Sequence, residues 1–125
     1  MTTLPYGDPI EWDWIPEKWI EAFTRAIEDH GHTVLDAHDF AITLDVPGLD
    51  EDEEWSLVKP NFHGLWAYGS YTNGRCNNPG WIYEDAADPQ AVANVVHAIL
   101  TGAPLKRFFT AGAMAVYPAP RQSGA

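Results

Sequence analysis

Cysteine occurs once in these 125 residues, at Cys76, which excludes an internal disulfide framework. No apolar run approaches the roughly 18 residues that a membrane span needs. The opening residues MTTLPYGDP lack the basic and apolar regions of a signal peptide, so a cytoplasmic location is expected. Bases are scarce as well: seven Lys and Arg stand against 18 Asp and Glu, for a net charge of −11. Their placement is lopsided. Residues 1–88 hold all 18 acids and four bases (Lys18, Arg25, Lys59, Arg75), a balance of −14, whereas residues 89–125 hold three bases and no acid, +3. An acidic body of this kind repels nucleic acid and anionic membrane and attracts basic proteins. No nucleophile elbow, phosphate loop or dinucleotide fingerprint occurs, so no motif points to an enzyme or a cofactor.

What is present is core-forming material. Six Trp, five Tyr and five Phe sit in a chain that is 46% hydrophobic, enough for one globular domain at this length. Pro16-Glu17 opens a first helix, with Trp19, Ile20, Phe23, Ala26 and Ile27 at helical spacing and Gly31 ending it. A second helix has Asp88 as cap, Pro89 in its first turn and Val92, Val95, Val96, Ile99 and Leu100 as its buried stripe. Gly102 and Pro104 stop it, and His97 falls on its polar side with Gln90, Asn94 and Thr101. Between them, residues 33–46, 55–60, 65–72 and 81–83 read as strands, with turn signals at Asn73-Gly74 and Asn78-Pro79-Gly80. The expected fold is α+β: helix, a three- or four-stranded mostly antiparallel sheet, helix, with both helices on one sheet face. Residues 1–15 are expected to form an N-terminal arm, 16–117 the single domain and 118–125 a flexible tail.

This element order resembles that of the double-stranded RNA-binding domain. That family places basic residues at the start of its second helix, where this chain reads DAADPQAVAN, so the matching activity is not expected.

Five features carry candidate chemistry. Asp50, Glu51, Asp52, Glu53 and Glu54 form an unbroken acidic run in a loop between two strands. Its alternation resembles the start of an EF-hand loop, but Trp55 and Asn61 occupy the positions that require Gly and Glu. HGHTVLDAHD holds His30, His32, Asp36 and His38, whose donor atoms suit zinc but lack a standard spacing. On an extended strand Asp36 and His38 point the same way, with Asp39 opposed. Trp12 and Trp14, in PIEWDWIP, either fold back onto the core or form an exposed anchor ringed by acids. Trp66 with Tyr68, and Trp81 with Tyr83, form a potential ladder whose expected role is packing. A nucleophile–base pair of Cys76 with His63 or His97 depends on contact that sequence does not define.

The reading that follows is a small acidic, non-enzymatic, protein-binding module without cofactor. Its partner would be a basic protein, such as a nucleic-acid-handling enzyme whose cleft it occupies by charge mimicry. In charge and size it resembles immunity proteins against nuclease toxins and phage anti-defence inhibitors. The alternatives are an assembly subunit and a metal-dependent enzyme built on His30 to Asp39.

Overall fold

The computed structural model describes residues 6–60, 65–73, 75–76, 80–82, 85–102, 105–110 and 113–118, with side chains described as far as Gly102 except that of Cys76. The fold is α+β, with two helices and a largely antiparallel sheet. After a short 3-10 turn at Pro9–Glu11 come α1 (Glu17–Asp29), β1 (Thr33–Ala37), β2 (Ala41–Asp45), β3 (Glu53–Val58), β4 (Trp66–Thr72), the two-residue β5 (Arg75–Cys76) and β6 (Gly80–Ile82). Then follow α2 (Pro89–Thr101), β7 (Leu105–Thr110) and β8 (Ala113–Pro118). The sheet order is β1-β2-β3-β4-β6-β8-β7, with β5 attached to β4. Among the described residues only the β6–β8 pair is parallel, because α2 carries the chain across before β8 returns beside β6.

Two expectations about this order need correction. Residues 33–46 are not one strand but the hairpin β1–β2, turning at Asp39-Phe40 with the His38 N–H donating to the Ala41 carbonyl at 3.0 Å. No Gly, Asn or Pro marks that turn in the sequence, which is why the stretch reads as continuous. The chain also does not finish on its second helix: β7 and β8 extend the sheet beyond it, giving more strands than the three or four expected.

The helices follow their local signals. The Asp88 side chain accepts hydrogen bonds from the Gln90 and Ala91 amides at 3.0 and 3.2 Å, and Gly102 closes α2 in the left-handed region at φ 71°. Pro16 sits one place before α1, its carbonyl accepting from the Ile20 amide at 3.1 Å. Both helices bury their apolar stripes in one core with a single sheet face, that of Ile42, Leu44, Trp55, Leu57, Trp66 and Ile82. Period-two alternation sends Ala41, Thr43, Ser56, Val58, Ala67 and Gly69 to the opposite face.

The segment before α1 belongs to this core. Trp12 and Ile15 are buried, and the Ile15 amide donates to the Asp39 carbonyl at 2.8 Å, fastening the segment to the β1–β2 turn. Within the expected arm, Pro9, Trp12 and Ile15 are buried, whereas Ile10, Glu11, Asp13 and Trp14 are exposed. Residues 119–125 of the expected tail lie outside the described residues, as do His63, Tyr83 and the turn at 78–79.

Candidate functional site

The sheet face turned away from the helices carries a concavity of about 450 Å³. Its floor comes from β2 and β3, whose Thr43 and Ser56 are register partners with their hydroxyls 2.9 Å apart. On this face Ala41 stands beside Val58, and Gly69 faces Ser56 from β4. Asp36 and His38 rim one side from the β1–β2 hairpin. Asp52, Glu54, Tyr71 and Asn73 contribute to the remaining rim. Asp36 and His38 thus share a side, and two stretches far apart in sequence meet at one surface.

The acidic run is divided by its own turn. The Glu53 amide donates to the Asp50 carbonyl at 3.0 Å, and the Glu53 carboxylate accepts from the Asp50 amide at 3.2 Å. Glu53 and Glu54 are already in β3, so alternation sends them to different sides. Asp52 and Glu54 line the concavity, while Asp50 and Glu53 line a smaller recess of about 210 Å³ that also includes Glu54 and Asp45. Asp50, Glu51, Asp52 and Glu54 are exposed, and Glu53 is half-buried. Among the described residues, no Lys or Arg lines the concavity. Lys59, next along from Val58, donates its ammonium to the Trp12 carbonyl at 2.8 Å.

Trp12 and Trp14 part company. Trp12 is buried edge-on against Trp19 and Trp66, with its indole N–H donating to the Tyr6 carbonyl at 2.8 Å. It is a core residue, so the expected partner-binding role does not fit its position. Trp14, two residues on, is 59% exposed and meets the 53% exposed Phe40 edge-to-face at 6.4 Å. Phe40 in turn contacts His38 at 6.4 Å, joining this aromatic pair to the rim of the concavity. Trp66 and Tyr68 face the helices. Trp81 pairs with Ala67 on the other side, so no shared ladder forms with Trp66. Its indole nitrogen is buried with no partner among the described residues.

The histidine-rich stretch does not gather as one group. His30 and His32 lie before β1, whereas Asp36 is near its far end and His38 just beyond it. Among the described residues, no group of three or more His, Cys, Asp or Glu is placed to hold a metal ion. His97 is instead the partner that sequence missed. Its Nδ1 lies 2.9 Å from His32 Nε2, and its ring stacks on His30 at 4.2 Å with an interplanar angle of 10°. His97 is half-buried, not in open solvent. Thr43, Ser56, Tyr71 and Asn73 were also missed as site residues; only strand register brings them under the acids.

No protein-family model, curated protein or solved structure matches this chain.

Proposed function

We propose that this protein is a small acidic binding module, not an enzyme, whose concave sheet face receives a cationic surface of another protein. The observation that carries the reading is the meeting of Asp36, from β1, with Asp52 and Glu54, from the acidic run, around one concavity that no Lys or Arg among the described residues lines. Carboxylates set on a sheet rim attract a basic partner at long range and fix its register at contact. The exposed Trp14–Phe40 pair supplies an apolar anchor beside them, the residue type that dominates binding energy at protein interfaces. A nucleic-acid-handling enzyme, whose own cleft is basic, is the partner class that the −14 body suits.

The test is capture from native lysate at low and high salt, followed by association kinetics with the captured partner. Neutralising the rim by Asp36→Asn, Asp52→Asn and Glu54→Gln should slow association and flatten its salt dependence, with folding retained. Equal association rates for wild type and triple variant at low salt would overturn the reading.

A second reading, an assembly subunit, draws on β1. It is an edge strand, and Leu35, at its bulge, is 63% exposed. An open strand edge can pair with a second chain. A partner-free, concentration-dependent dimer lost on Leu35→Lys would favour that reading.

A further inference from the structure

The turn between α1 and β1 is held to α2 by three imidazoles. His30 and His32 flank Gly31, whose φ of 93° makes the reversal, and His97 reaches them from α2. Asn94 Oδ1 accepts from Gln90 Nε2 at 2.9 Å and from His30 Nε2 at 2.8 Å, so the His30 ring is oriented as a donor there. Its face lies flat on His97. We propose that His32, His97 and His30 form a proton-operated latch, closed while His32 and His97 share one hydrogen and opened when both rings are protonated.

The chemistry follows from the 2.9 Å contact. Two ring nitrogens at that distance need one donor and one acceptor. With both rings neutral, or with one protonated, that requirement is met. A second proton removes the last acceptor and leaves two N–H groups and two positive charges face to face. Protonated His30, stacked at 4.2 Å, adds a third charge to the same place.

Among the described residues, acids also lie along the elements that carry these rings. Glu28 and Asp29 are exposed on the last turn of α1, and Asp45, opposite Thr33 in the β1–β2 register, lines a recess with His32. These favour protonation, but burial, followed by the fields of His97 and His30, still holds the His32 imidazole below its ordinary value. The sign of the linkage is therefore fixed. The unfolded chain, with an ordinary histidine value of about 6.5, takes up this proton first. Stability contributed here is present above that pH and falls on acidification until the folded-state value is passed.

The latch does not depend on the binding reading. Its test uses the full chain from pH 7.5 to 5.5, following the imidazole nitrogens by NMR and hydrogen-exchange protection corrected for intrinsic rates. The amides of Gly31 and His32, which donate to the Glu28 and Ile27 carbonyls, report on the turn. Their protection should fall roughly three- to tenfold further than that of Leu57 in the sheet, as expected when one proton couples to local opening. The nitrogen shifts should show one ring of the His32–His97 pair accepting until the second proton arrives. His32→Gln with His97→Gln should abolish the extra loss, and His38→Gln should preserve it. Independent titration of His32 and His97 at the ordinary value, with unchanged protection, would overturn the latch. An equal loss in the double variant would do the same, and if that variant fails to fold, the wild-type nitrogen shifts decide.

Discussion

Trp19 lies on Trp66 with ring centroids 4.5 Å apart and planes 25° from parallel, joining the first turn of α1 to β4 across the core. The indole N–H of Trp19 donates to the Ala87 carbonyl at 3.2 Å, and that of Trp66 to the Ala86 carbonyl at 3.0 Å. Two buried donors therefore hold the approach to α2, just before its Asp88 cap. Phe23 also stacks on Trp19, at 5.3 Å. The same cluster thus ties both helices to the sheet, and the polar handles set where the second helix begins.

Trp66→Ala should cost about 3–5 kcal/mol, the range for emptying a buried aromatic site, against a total stability of roughly 5–15 kcal/mol. Trp66→Phe keeps much of the stack but leaves the Ala86 carbonyl without its donor, a loss of about 1–3 kcal/mol. Chemical denaturation followed by circular dichroism measures both. A midpoint unchanged by the alanine variant would mean that Trp66 does not hold the core together.

Gly80 is required for a different reason. A Cβ there would lie 2.6 Å from Tyr68 Cε1, and Tyr68 stacks on Trp55 at 5.8 Å. Gly80→Ala should push the Tyr68 ring off Trp55 and destabilise by about 1–3 kcal/mol, as overpacking does. Near-ultraviolet circular dichroism should lose aromatic signal in step with a lowered melting temperature. A wild-type spectrum and melting temperature would refute the close approach.

Trp14 and Phe40 test binding apart from folding. Both are more than half exposed, so Trp14→Ala or Phe40→Ala should alter stability by no more than about 0.5 kcal/mol. Against the captured partner, each should chiefly speed dissociation, as loss of an apolar anchor does, whereas the rim-acid variants act on association. Dissociation rates equal to wild type in both aromatic variants would remove the anchor from the interface.

Local signals determined the helices of this protein. The Asp88 cap, the Pro89 start, the Gly102 stop and the spacing of Trp19, Phe23 and Ile27 each act within a few residues, so sequence alone carries them. The α+β class was legible on the same basis, as was the turn at the start of the acidic run, although Glu53 and Glu54 already belong to β3. The division of residues 33–46 into a hairpin was not, because its Asp39-Phe40 turn carries no Gly, Asn or Pro and is held by the His38–Ala41 backbone bond, the Phe40 amide on His38 Nδ1 and the docked Ile15. The addition of β7 and β8 beyond α2 likewise depends on the long-range parallel pairing of β8 with β6. Tertiary structure alone decided that Trp12 is core and Trp14 is surface, since two nearly identical local contexts differ only in what lies opposite them. It also brought Asp36 to Asp52 and Glu54, and His97 to His32. Cross-strand register and helix packing set those meetings, between residues 16 to 65 positions apart, where composition and periodicity carry no distance.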